Sequence, residues 1–248
     1  MLILAVETST QTGSIALVEA SIGKDGSEGR EKILGETTLS SPETHSARLM
    51  PTIDRLLRET SLTIHEVQGI ALGLGPGSFT GLRIAVSTVK GLAFALKVPV
   101  VGVPTLDALA YNFPYASTLV CPVLDARKKE VYAALFRGNG EGQLKKISED
   151  WVLSPEDLCS RVQEKTLFLG NGIEVYGGLF KEKLGSLAVL APPELSLPRA
   201  VNIARLSLSG FKEGQTLNLS SFTPIYVRRS EAEILYDSKE RKKSSEMI

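Results

Sequence analysis

The chain opens on an apolar run at residues 2–6 and a second at 14–18, joined by a Thr/Ser/Gly-rich stretch at 8–13. Short apolar runs between turn-forming residues read as buried strands, and the tight joint makes them a hairpin. Residues 21–32 are Gly- and charge-rich and read as a long solvated turn before a third strand at 33–39, where Ile33, Thr37 and Leu39 alternate with polar positions. The period then lengthens. Leu49, Ile53, Leu56 and Leu57 recur at helical spacing in a segment that starts at Ser41 or Thr44 and ends near Glu59, with Pro51 expected to kink it or delay its regular part. A fourth strand at 69–74 is broken by Gly75-Pro76-Gly77. Ser78 then caps a helix running to about Lys97, and residues 99–103 form a fifth strand.

The second half repeats this order. Strands are expected at 119–124, 130–136 and 145–153. A helix starts at Ser154, with Pro155 in its first turn and Asp157 at the third position. A strand at 166–169 runs into Gly170-Asn171-Gly172, a helix with Ile173, Tyr176 and Phe180 on one face follows, and a strand at 187–190 precedes a last helix at 199–211. Each half is three meandering strands and then alternating helices and strands. That order predicts a duplicated α/β protein: two subdomains at 1–104 and 105–235, each a mixed sheet flanked by helices, and a Lys/Glu/Ser-rich tail at 236–248.

Charge narrows the function classes. Among 248 residues, 28 basic side chains balance 28 acidic ones, so no global field draws the chain to phosphate backbones or anionic lipid, although a small local RNA contact stays open. The two cysteines, Cys121 and Cys159, belong to no Cys-x-x-Cys pair, which excludes a disulfide framework or zinc ribbon. The apolar N-terminus lacks a basic flank, and no stretch approaches the roughly 18 apolar residues of a membrane span, so a cytoplasmic chain is expected. The two histidines, His45 and His65, are not at metal-ligand spacing and read as surface or capping residues.

Three segments carry candidate chemistry. Glu7-Thr8-Ser9 ends the first strand, where α/β folds bind ligands, and is either a magnesium or phosphate contact or plain turn chemistry. The segment from Gly73 to Arg83 joins a strand to a helix N-terminus, where free N–H groups favour an anion. Its spacing is neither a dinucleotide fingerprint, nor a Walker loop, nor a nucleophile elbow, so Gly75, Gly77 and Ser78 are either a phosphate crevice or close strand–helix packing. Asp125-Ala126-Arg127 is either a ligand pair or a hairpin ion pair. The helix after Ser78 has small residues Ser87, Gly91 and Ala95 four apart and a second small pair, Gly81 and Ala85. Glycine inside a helix costs about 1 kcal/mol against alanine, so Gly91 predicts close approach by another helix, either the 49–57 helix of this chain or one from another protein. No catalytic set emerges.

Four segments together resemble the TsaB family, once called YeaZ: Leu4-Ala5-Val6-Glu7-Thr8-Ser9; His45-Ser46 through Leu49-Met50-Pro51 to Leu56-Leu57; Gly73 to Arg83; and Pro122 to Arg127 with Glu130-Val131-Tyr132. Pro224-Ile225-Tyr226-Val227-Arg228 adds to them. The first half matches closely and the second more thinly. The resemblance implies an actin-like, ribonuclease-H-like duplicated fold and a part in placing threonylcarbamoyl on the adenosine beside the anticodon of tRNAs that read codons starting with A. It implies a non-catalytic subunit without cofactor or metal. In the catalytic paralogue, TsaD, a His-x-x-x-His metal motif follows a Pro-Val-x-Gly-Val strand; here that strand is 99–103 and the two positions fall on Thr105 and Leu109. The implied partners are TsaD, bound through the first-half helices, and TsaE, with a homodimer when alone, weak or indirect tRNA contact and no membrane. Leu49, Ile53, Leu57, Gly81, Ala85, Ser87, Gly91 and Ala95 are the interface candidates. The turn at 21–32 and the segment beyond Glu233 are longer than in shorter family members. The competing expectation is an actin-like ATPase or phosphotransferase using Glu7, Thr8 and the loop from Gly75 to Gly77; a protease has no base placed beside a nucleophile.

Overall fold

The structure is a computed structural model that describes residues 1–21, 31–40 and 44–228. Most of the 21–32 turn, the early helix start at Ser41 and the 236–248 tail therefore lie outside the described residues.

The first sheet takes β1 (Leu2–Glu7), β2 (Thr12–Ala20), β3 (Glu31–Ser40), β4 (Gly69–Gly73) and β5 (Val100–Val103) in the order β3-β2-β1-β4-β5. The hairpin half is antiparallel, and β4 and β5 run parallel to β1. The second sheet repeats that order as β10-β7-β6-β11-β12, built from β6 (Leu119–Arg127), β7 (Glu130–Ala133), β10 (Trp151–Leu153), β11 (Thr166–Leu169) and β12 (Ala188–Leu190). A side branch of β8 (Phe136–Gly138) and β9 (Leu144–Lys146) pairs with β6. Three antiparallel strands followed by two parallel ones, twice over, is the duplicated ribonuclease-H-like, actin-like architecture that the element order predicts.

Side chains sort by the two-residue strand period. On β1, Leu2, Leu4 and Val6 face one core with Leu49, Ile53, Leu56 and Leu57 of α1 (His45–Glu59) and Ala85, Val86, Val89 and Ala93 of α2 (Phe79–Leu96). Ile3 and Ala5 face the other, with Ala200, Val201, Ile203 and Ala204 of α6 (Ala200–Glu213). The second sheet packs α4 (Pro155–Arg161) and α5 (Gly172–Leu184) on one face, where Phe168 stacks on Phe180 at 4.9 Å. Its other face is covered by α3 (Thr105–Ala110) through Leu106, Leu109 and Ala110. So α3 and α6 fill the space between the sheets.

Four details differ from the sequence reading. The last helix, assigned to the second half, lies against β1, β2, β4 and β5, because the first sheet's second apolar face has no other cover. The strands expected at 130–136 and 145–153 each divide in two. Helix α3 is too short to show a periodicity. Pro51 sits on the solvent side of α1, and the helix runs through it.

Candidate functional site

The Glu7-Thr8-Ser9 turn and the Gly73–Ser78 loop meet at the carboxyl ends of β1 and β4. Glu7 is fully buried. Its Oε1 accepts the Ser9 N–H at 2.5 Å and its Oε2 accepts the Thr105 hydroxyl at 3.3 Å, while Thr105 Oγ1 accepts the Gly75 N–H at 3.2 Å. Burial pushes the Glu7 carboxyl above its ordinary value, against the hydrogen bonds from Ser9, Thr105 and Thr8 that favour the charged form. A Cβ on Gly73 would stand 2.1 Å from Glu7 Oε2, so glycine is required there by the close approach of the carboxylate. Thr8 donates to the Gly81 carbonyl at 2.9 Å, and Ser78 N–H donates to the Ser9 carbonyl at 2.6 Å. Ser78 also caps α2, its Oγ accepting from Gly81 N–H at 3.2 Å.

This geometry divides the residues of the phosphate-crevice expectation between a buried cluster and the wall of the cleft. Glu7, Thr8, Ser9 and Gly75 are buried, Gly77 and Ser78 keep exposed surface, and Ser9, Gly77 and Ser78 line the cavity between the two halves. The Ser9 carbonyl takes the Ser78 amide at the N-cap of α2. Thr105 and Leu109, the positions that the resemblance aligns with metal-binding histidines, hold Glu7 and fill the core beside Gly170. Among the described residues no cluster of His, Cys, Asp and Glu side chains has metal-site geometry.

His45 is the first residue of α1, whose N-cap is Thr44, and its ring bonds outside the helix turn. Its Nδ1 lies 3.1 Å from the donating Arg48 guanidinium, so Nε2 carries the proton and donates to the Thr10 carbonyl at 2.7 Å. Arg48, itself buried, also donates to the Gln11 carbonyl at 2.6 Å. Together they clamp the N-terminus of α1 onto the β1–β2 turn. Burial lowers the His45 pKa below its ordinary 6.5, and the Arg48 charge lowers it further.

The interface candidates divide. Leu49, Ile53 and Leu57 of α1 and Ala85 of α2 are core side chains, and Gly81 is buried against the Thr8 carbonyl. None of these five offers surface to a partner, because the helical repeat that makes them a stripe is the stripe that covers the sheet. Ser87, Gly91 and Ala95 lie on the outer face of α2. A Cβ on Gly91 would meet nothing within 4 Å, which removes the same-chain explanation of that glycine. The sequence reading missed Phe94 beside them, 80% exposed, and Met50 on the outer side of α1, 45% exposed. A large apolar side chain one turn from small residues on a helix already buried on its opposite side was the available signal. The same surplus gives α2 the length and apolar content of a membrane span, contrary to the sequence expectation, although its inner side packs on the sheet.

Between the two halves lies a cavity of about 920 Å³. Phe79, Arg83 and Tyr226 wall one side and Asp125, Arg127, Lys128 and Tyr132 the other. The strap at 222–228 crosses it: Ile225 N–H donates to the Leu74 carbonyl at 2.8 Å, Tyr226 Oη accepts from Arg83 Nε at 3.0 Å, and Arg228 reaches the Ala126 carbonyl at 3.3 Å and Glu130 at 3.2 Å. Asp125 and Arg127 pair at 3.2 Å, so the expected ion pair forms, and both residues also line the cavity. Arg127, Lys128 and Lys129 all have positive φ, 62°, 54° and 62°, a conformation costing about 1–2 kcal/mol for each non-glycine residue.

Comparison with known proteins places this geometry. The profile of the family described as "TsaD: tRNA N6-adenosine threonylcarbamoyltransferase" matches residues 32–236. The Bacillus subtilis tRNA threonylcarbamoyladenosine biosynthesis protein TsaB is 30% identical over 236 residues, covering 94% of this chain and 96% of the relative. The Escherichia coli protein of the same description is 31% identical over 237 residues, with coverage of 94% and 96%. The solved structure of YeaZ from Pseudomonas aeruginosa superposes with a TM-score of 0.72 at 31% identity, covering 91% of this chain and 99% of that one. The chain belongs to the TsaB family of tRNA threonylcarbamoyladenosine biosynthesis proteins.

Proposed function

We propose that the chain is a non-catalytic scaffold that activates threonylcarbamoyl transfer to tRNA by binding TsaD, with TsaE joining the assembly. The observation that carries this reading is the outer face of α2. Its core-facing side is complete, yet Ser87, Gly91, Phe94 and Ala95 are exposed on its outer face, with Met50 of α1 exposed in the same helical layer. Open glycine and alanine positions let a second helix approach closely, and Phe94 supplies an anchor side chain. That the TsaD family profile itself matches residues 32–236 supports a pseudo-symmetric pairing of two similar folds. In the absence of TsaD the same self-complementary face serves a homodimer. The core roles of Thr105 and Leu109 support a binding rather than a catalytic task. The compartment is then the cytoplasm, where the tRNA is.

The test is the affinity of this chain for TsaD by calorimetry, wild type against Phe94→Asp. Loss of binding with an unchanged fold supports the reading; undiminished binding sinks it. A second reading, an actin-like ATPase, is favoured only by the cavity between the halves. Mg-ATP at a hundred times its dissociation constant would stabilise the fold by about 2.7 kcal/mol, and no thermal shift counts against that reading.

A further inference from the structure

We infer that the mouth of the cleft between the two halves is an RNA-binding surface, in which the β6–β7 turn grips phosphate and the Phe79–Arg83–Tyr226 cluster takes an unpaired base. The turn is the first observation. Register pairs Arg127 with Glu130, so Lys128 and Lys129 are the two central residues of the hairpin loop, both with positive φ. Such a turn is satisfied by Asn-Gly, which reaches positive φ without strain. The chain instead places two lysines there and a third left-handed cation, Arg127, before them. Local turn chemistry is broken in favour of exposed cations at one tip, Arg127 in its ion pair with Asp125 and Lys128 and Lys129 beyond it, and a turn so built points to binding as well as folding.

The opposite wall is the second observation. Arg83 lies 3.8 Å over the Phe79 ring, Tyr226 is 5.4 Å from Phe79, and both rings are 41% exposed. Two exposed rings tilted by 38° with a guanidinium over one of them form an aromatic and cationic wall for a nucleobase, because every base has a π-face. The cavity between the walls, about 920 Å³, is of ligand-site size, and Arg83, Arg127, Lys128 and Arg228 line it against Asp125 and Glu174. The chain's balanced overall charge makes this a local excess rather than a general attraction to polyanions.

The experiment titrates this chain alone against fluorescently labelled tRNA at low salt and follows anisotropy, so its outcome does not depend on whether TsaD docks. The wild type is expected to bind with an affinity that falls steeply as salt rises. The doubly substituted variant Lys128→Asn, Lys129→Gly gives the turn its favoured residues. It is expected to unfold at a higher temperature than wild type, yet to bind about tenfold more weakly with a salt slope reduced by roughly 2. Tyr226→Ala is expected to weaken single-stranded RNA more than duplex RNA. Absence of tRNA binding by the wild type overturns the inference. Equal affinity of the turn variant, or displacement of the tRNA by Mg-ATP, which would make the cleft a free-nucleotide site, overturns it too.

Discussion

Glu7 shows how one side chain can organise a loop cluster. Its carboxylate is held by the Ser9 amide and the Thr105 hydroxyl, against a glycine that has no room for a methyl group. Gly73→Ala is expected to lose about 1–3 kcal/mol in chemical denaturation, since the new Cβ meets the carboxylate at 2.1 Å. A change near zero would mean that Glu7 is not fixed there. His45 gives a pH prediction. Its folded pKa lies below 6.5, so between that value and 6.5 the unfolded chain binds more protons and stability rises with pH. The contribution is complete above 6.5 and is lost as pH falls below it. Glu7, whose folded pKa is raised, acts in the opposite sense, so the measurement must be a difference between variants. The melting-temperature drop from neutral to mildly acidic pH should shrink in His45→Asn; an equal drop in both proteins would contradict the clamp. Both residues were visible in the sequence as a strand-end carboxylate and a helix-start histidine. Their roles were not, because Thr105 reaches Glu7 across 98 positions and Thr10 reaches His45 across 35.

At the scale of elements, α1 and α2 were legible as helices and illegible in orientation. The spacing of Leu49, Ile53 and Leu57 is that of a helix covering a sheet, and it cannot by itself say whether the sheet is this chain's or a partner's. Helix α2 is apolar on both sides, so its small residues Gly81 and Gly91 looked alike; one touches the Thr8 carbonyl and the other touches nothing. Burial separates them and yields a contrast between two variants. Ile53→Ala should cost about 2–5 kcal/mol of stability, as a fully buried isoleucine does. Phe94→Asp should leave stability within about 0.5 kcal/mol, as an exposed position does, and weaken TsaD binding at least about tenfold. If Phe94→Asp unfolds the chain, the outer face is not free. Strands β7 and β8 read as one because Ala134 and Leu135, between them, are as apolar as their neighbours.

Over the whole molecule the duplication was readable from element order, since each half repeats a hairpin, a third strand and parallel additions. What order could not show is that α6 leaves the half that precedes it and crosses to the first sheet. There it buries Ile3, Ala5 and Ala71, which would otherwise face water. A chain truncated after Pro198 should therefore lose the first subdomain's structure by circular dichroism; native signal from it would contradict the packing. The strap after α6 then ties both halves across the cleft through Arg83 and Glu130. On the proposed reading, the exposed outer face of α2 is the part of the duplicated fold that a partner covers. The most direct test is threonylcarbamoyl transfer to tRNA in a mixture of TsaD, TsaE, the adenylate-forming enzyme, ATP, threonine and bicarbonate, with this chain, without it, or with its Phe94→Asp variant. Product only in the wild-type tube is the predicted result; equal product in all three would contradict the scaffold account.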